Sequence, residues 1–301
     1  LFSSSPAALP IRRPALDIAR FVAAFGVVVA HVQASISDWI GHLSLGIFLL
    51  LTAVLAVQSF ARTGAYSVRA RFWRLMLPWL FWCGFYWLVN YDVSDRAAFF
   101  VWPSEPWSLL AGPSIHLWFL PFILAAGFLV EPVGRFVTNE KRLLIALAVS
   151  LVVMILCFSV HIGAGLAQPL EQWTFGLPVY ALGLLFGLAL PMGRPLWVLA
   201  ALVLGTVVSL AAASHEPWIW QALLAFVIFW ALWHLPISGP IPEILGREAF
   251  GIYLMHPFFL LVIYKFLGPD LGWVADCALA FTMSWAAAMI MHRLPWVNRL
   301  I

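Results

Sequence analysis

Arg20 and His31 stand 11 positions apart in a run that is otherwise almost wholly apolar. At roughly 100° per residue, 11 positions make about three helical turns, so both side chains point the same way, about 16 Å apart along the axis. An ionisable group at membrane depth costs about 2.5 kcal/mol or more, which makes each a candidate for function. A guanidinium grips anionic oxygens, and an imidazole is the side chain suited to taking a proton near neutral pH. The bland alternative has Arg20 snorkelling to an interface while His31 makes one interhelical hydrogen bond.

A second cluster is cationic. Arg69, Arg71 and Arg74 lie within six positions, with Phe72 and Trp73 between the last two. Such a run can serve membrane topology and lipid headgroups, or it can clamp phosphate, since guanidinium forks match phosphate oxygens bidentately. Arg71 and Arg74 are spaced i, i+3 and would share one face of a helical turn. Two further histidines sit in suggestive surroundings: His116 in Ser114-Ile115-His116-Leu117-Trp118-Phe119-Leu120-Pro121, and His256 in Gly251-Ile252-Tyr253-Leu254-Met255-His256-Pro257. Tyr253 and His256 are i, i+3 and share a face. His42, His161, His215, His234 and His292 fall at expected segment ends and receive no role. Cys83, Cys157 and Cys277 lie in apolar runs without C-x-x-C spacing, so neither a metal site nor a disulfide framework is indicated.

The elements that must carry these residues follow from composition. Of 301 residues, 64% are hydrophobic and only 10% charged, and the mean hydropathy is +0.98. A soluble domain carries about 25% charge. A net charge of +3 also excludes a basic nucleic-acid binder. The chain therefore reads as an all-α, polytopic integral membrane protein and a single domain over 1–301.

A span needs about 20 mostly apolar residues. Cutting at the charges yields ten windows: 21–37, 39–61, 75–91, 106–130, 143–170, 172–193, 195–215, 217–242, 249–264 and 277–292. With both termini cytoplasmic, 14 of the 16 Lys and Arg fall inside, leaving Arg96 and Lys265 outside, as the positive-inside rule demands. Residues 1–15 form an N-terminal cytoplasmic segment, 62–74 a basic inner loop and 91–114 an outer loop. Among carboxylates, only Asp17 and Asp276 come near the middle of the membrane.

Taken in order, these pieces resemble the acyltransferase 3 family of membrane-bound enzymes that O-acylate cell-surface sugars. Asp17-Ile18-Ala19-Arg20 followed by His31 is similar to the family's Arg-to-His motif. Leu45-Gly46-Ile47-Phe48-Leu49 resembles its aromatic-rich second helix, although the usual Ser-Gly step reads Leu51-Thr52-Ala53. Arg69-Ala70-Arg71-Phe72-Trp73-Arg74 resembles its basic loop, and the His116 and His256 segments resemble its later signatures. The resemblance spans nearly the whole chain.

It implies transfer of an acyl group, acetyl first, from cytoplasmic acyl-coenzyme A to a hydroxyl of an extracytoplasmic or lipid-linked sugar. No metal is needed, the partners being membrane lipids, the donor and a glycan, and the setting a bacterial inner membrane. Arg71 and Arg74, with Arg69 as a weaker participant, would hold the donor's phosphates. Arg20, held by Asp17, would position the thioester arm. His31 would act as general base or transient acyl acceptor. His116 and Trp118 would shape the acceptor pocket, and Tyr253 or His256 would support an oxyanion or a proton path. The competing reading is a secondary transporter or flippase with an intramembrane Arg/His path, against which the lack of a visible repeat weighs.

Overall fold

Long apolar segments without a water-facing stripe satisfy their backbone internally as helices. A computed structural model describes residues 13–32, 37–93, 106–213, 217–268 and 271–301. Among them there are helices and no strands: α1 (Pro14–Ala30), α2 (Ser37–Thr63), α3 (Val68–Val93), α4 (Phe119–Gly127), α5 (Val130–Phe136), α6 (Glu140–Ala164), α7 (Leu170–Ala189), α8 (Pro195–Ala213), α9 (Pro217–His234), α10 (Ile241–Leu267) and α11 (Trp273–Arg293). Short 3₁₀ turns at Pro106–Leu110, Ile115–Trp118 and Val297–Arg299 complete the set.

Local signals account for several ends. Pro14 opens α1 at a position where its missing N–H is no loss. Asn139 caps α6 by accepting the Arg142 N–H at 3.0 Å, and Gly165 leaves the helix at φ 53°. Arg13 anchors α1 to the end of α9, donating to the Trp233 carbonyl at 2.8 Å and lying 4.5 Å over the Trp233 ring.

Eight segments among the described residues are long and apolar enough to cross a membrane, not ten. Windows 21–37 and 75–91 fall on α1 and α3, which miss that standard for different reasons. α1 has 17 residues, about 26 Å against a hydrocarbon core of about 30 Å, and carries Asp17 and Arg20. α3 has 26 residues but opens with three arginines and continues through Trp79, Trp82, Tyr86 and Trp87, whose polar edges lower its apolarity.

Window 106–130 becomes Ile115–Phe136, broken between α4 and α5 at Phe128 and Leu129. His116 lies on the 3₁₀ turn Ile115–Trp118, which leads directly into α4. The basic stretch 62–74 is mostly helical: Arg62 ends α2, and Arg69, Arg71 and Arg74 occupy the first turns of α3, leaving only 64–67 between them. α3 extends into 91–114 as far as Val93, and 94–105 lie outside the described residues.

α1 packs between α2 and α10, α2 against α7 and α9, and α10 against α11. Small residues allow these close crossings. Gly26 lies against Ser44 and Gly41 against Ala30, so α1 and α2 run antiparallel. Gly183 meets Leu50 and Ala53 while Gly187 meets Val57, so α7 runs parallel to α2. Gly246 meets Asp17: a Cβ there would stand 2.6 Å from the Asp17 Cβ and 2.8 Å from its Cα.

Because backbone cannot swing aside, Gly246→Ala is expected to force α1 and α10 apart, costing about 1–3 kcal/mol. Thermal unfolding of the purified protein in detergent checks this. Gly84→Ala is the comparison, since a Cβ there meets nothing within 4 Å. Equal midpoints for the two variants would show that the crossing tolerates a methyl group.

Candidate active site

The crossings of α1 with α2 and α10 leave a cavity of about 1050 Å³, lined also by α3, the Ile115–Trp118 turn, the start of α7 and the C-terminal residues. Its two ends differ in chemistry. One end carries the guanidiniums of Arg20, Arg71, Arg74, Arg247 and Arg299. The other carries His31, His42 and His116. Phe48, Thr52, Leu75 and Phe250 line the cavity as well.

Four of these five cations, Arg20, Arg71, Arg247 and Arg299, are held by a neighbour. Arg20 Nη1 lies 3.4 Å from Asp17 Oδ1, and Asp17 is buried at the Gly246 crossing. Arg71 sits 5.2 Å over the Tyr66 ring. Tyr66 is in turn fixed by its backbone N–H, which donates to Glu131 Oε2 at 3.2 Å, while Arg135 holds the other oxygen of Glu131 at 2.7 Å. Burial raises the Tyr66 phenol above its ordinary value, with Arg71 opposing in part. Arg299 lies 5.5 Å over the Trp296 ring.

Arg247 Nε donates to Glu248 Oε1 at 3.0 Å, and His292 Nδ1 donates to Glu248 Oε2 at 3.0 Å. Glu248 is wholly buried. A carboxylate can occupy that position only because both oxygens are engaged. The pair points a guanidinium and an imidazole from α10 and α11 into the cavity wall.

At the other end the histidines gather. Ring centroids are 4.6 Å apart for His31 and His256, 5.4 Å for His116 and His256, and 6.2 Å for His31 and His116. The Val27 carbonyl, 2.8 Å from His31 Nδ1, can only accept. Nδ1 therefore carries the hydrogen, and Nε2 keeps a lone pair. His256 is fixed in the same way by the Tyr253 carbonyl at 2.8 Å. His116 Nδ1 shares a hydrogen bond with Ser114 Oγ at 2.8 Å.

Tyr253 Oη donates to the His116 carbonyl, and Tyr86 Oη to the Leu254 carbonyl at 2.7 Å. These bonds tie the 3₁₀ turn and α3 to α10. The Nε2 atoms of His116 and His256 are buried without a hydrogen-bond partner among the described residues. No group of three or more His, Cys, Asp or Glu is placed to hold a metal ion among those residues. A lone-pair nitrogen that opens on a cavity and is oriented through its own backbone has the arrangement of a general base.

Of the residues singled out by sequence, Arg20, His31, Arg71, Arg74, His116, Trp118 and Tyr253 line this one cavity. Asp17 and His256 stand behind it, touching Arg20 and His31. Arg69 is exposed and is not among the lining residues. Sequence reasoning passed over Arg247, Glu248, His292, Arg299 and His42. Glu248 carried a legible signal, a carboxylate within reach of an apolar span. Cutting window 249–264 at that charge discarded it, whereas α10 starts at Ile241. His42 and His292 gave no signal, because their meaning comes from neighbours on other helices.

Residues 13–292 match the family model of an acyltransferase domain, acyltransferase 3. No curated protein and no solved structure matches the chain at a significant level. With most of its length matched and its multi-helix membrane architecture in place, the chain belongs to the acyltransferase 3 family.

Proposed function

We propose that this membrane acyltransferase moves an acyl group, acetyl first, from acyl-coenzyme A to a hydroxyl of an extracytoplasmic or lipid-linked sugar. The observation that carries the reading is that Arg20 and His31 line one cavity, with Arg71 and Arg74 at the basic end and the imidazoles at the other. The donor's phosphates lodge among the guanidiniums, where charge-assisted bidentate bonds are strongest. Its thioester arm runs past Arg20 toward His31. The basic end faces the cytoplasm, in keeping with the distribution of Lys and Arg along the chain, and the membrane is the bacterial inner membrane.

His31 Nε2 takes the proton of the acceptor hydroxyl as that oxygen attacks the thioester carbonyl. The tetrahedral intermediate then expels the thiolate of coenzyme A, which takes the proton back from the imidazolium. The products are the O-acyl sugar and the free thiol. His256 and Tyr253 hold the imidazole end together while this happens.

Incubating the purified protein with radiolabelled acetyl-coenzyme A and a sugar acceptor tests the reading. Label is expected on the sugar, with one equivalent of free coenzyme A. A carrier would release none.

A further inference from the structure

Past His31, the cavity continues between the N-terminal ends of α2 and α7. The antiparallel crossing of Gly41 on Ala30 places His42 beside the end of α1. α7 runs parallel to α2, and Phe175 packs 5.3 Å from the His42 ring, so Gln168 and Gln172 stand at the same end. All three polar side chains line the cavity together with Trp118. Trp118 packs 5.6 Å from Phe122, itself backed by Trp173 at 5.4 Å. This part of the cavity thus has one aromatic wall and one wall of amides and imidazole. No charged side chain lines it among the described residues.

Gln172 lines this part of the cavity, and its Oε1 accepts no hydrogen bond among the described residues. A buried carbonyl oxygen left so costs about 1–3 kcal/mol, which a donor on a ligand would return. Amides and imidazole both donate and accept, as vicinal hydroxyls do. The flat C–H face of a sugar ring suits an aromatic wall. A carboxylated sugar would be desolvated there without a cation to meet it.

Resting on the acyl-transfer reading above, we propose that His42, Gln168 and Gln172, with Trp118, form the subsite for a neutral sugar ring of the acceptor. This chamber selects uncharged over acidic sugars and presents a ring hydroxyl to His31.

The test uses the full-length protein in nanodiscs. Its probes are methyl α-D-glucopyranoside, methyl α-L-rhamnopyranoside, methyl N-acetyl-β-D-glucosaminide and sodium glucuronate. Saturation-transfer NMR reads binding without chemistry, and release of coenzyme A from acetyl-coenzyme A reads turnover. At least one neutral glycoside is expected to bind and to be acylated, and glucuronate to do neither. Gln172→Ala and His42→Ala are each expected to raise the KM for that glycoside about tenfold. Acetyl-coenzyme A affinity should stay at the wild-type value, which also shows that the variants are folded.

Three results would overturn the subsite: no neutral glycoside binding, glucuronate binding as well as the best glycoside, or an unchanged KM in both variants. Glycoside binding that is lost in Gln172→Ala, in a wild-type protein that releases no coenzyme A, would keep the chamber and remove the acyl-transfer reading.

Discussion

His31→Ala is expected to lower acyl transfer by about 10²- to 10⁴-fold, the usual contribution of a positioned general base. Donor affinity should stay within about twofold, because Arg71 and Arg74, which would hold the phosphates, stand on α3 at the other end of the cavity. The split between turnover and binding is the informative part. A collapsed cavity would lose both, whereas loss of a proton acceptor removes only the chemistry. His31→Gln keeps much of the shape and one hydrogen-bonding group, so it should share the loss in rate. Single-turnover measurement on purified protein, alongside equilibrium binding of labelled acetyl-coenzyme A, separates these outcomes. Wild-type turnover in either variant would remove His31 from the reaction.

Arg71→Ala and Arg74→Ala carry the second large effect. Each removes one charge-assisted contact worth about 1.5–3 kcal/mol, so donor affinity is expected to fall about 10- to 100-fold per substitution. The double variant should lose more, though not strictly the product, since the two side chains would share one ligand. Arg74→Lys should recover only part, because an ammonium cannot form the bidentate fork. Arg69→Ala provides the contrast: Arg69 and Arg74 are both exposed, but only Arg74 lines the cavity, so for Arg69 a change of less than about threefold is expected, in the range of exposed charges. Equal losses for Arg69 and Arg74 would point to a diffuse surface potential in place of a clamp. Equilibrium binding at two salt concentrations distinguishes them, because a diffuse potential is the more strongly screened.

Several features of the site were legible because they depend on one helix only. Arg20 and His31 share a face by helical periodicity, and α1 keeps that periodicity from Pro14 to its end. The i, i+3 relation of Arg71 and Arg74 survived for the same reason, once the supposed loop proved to be the start of α3. Span positions were readable wherever apolar length was the deciding quantity, as in α6, α8 and α9. Windows 21–37 and 75–91 found α1 and α3, but α1 is short and carries Asp17 and Arg20, and α3 is rich in arginine, tryptophan and tyrosine, so neither meets the standard of length and apolarity that the other spans meet. Cutting at the charges truncated α10, where the buried Glu248 is paired with the exposed Arg247 and with His292 and so does not end the helix.

The sequence by itself determined an all-helical membrane chain and a polar stripe along its first helix. The bilayer requires long apolar runs, and a helix places residues 11 apart in line. Only the tertiary structure decided that His116 and His256 close around His31, that Glu248 joins Arg247 to His292, and that one cavity links the arginines to the imidazoles. Those arrangements depend on where glycines let helices approach. Gly41 on Ala30 and Gly246 on Asp17 are contacts between surfaces whose pairing no single segment encodes.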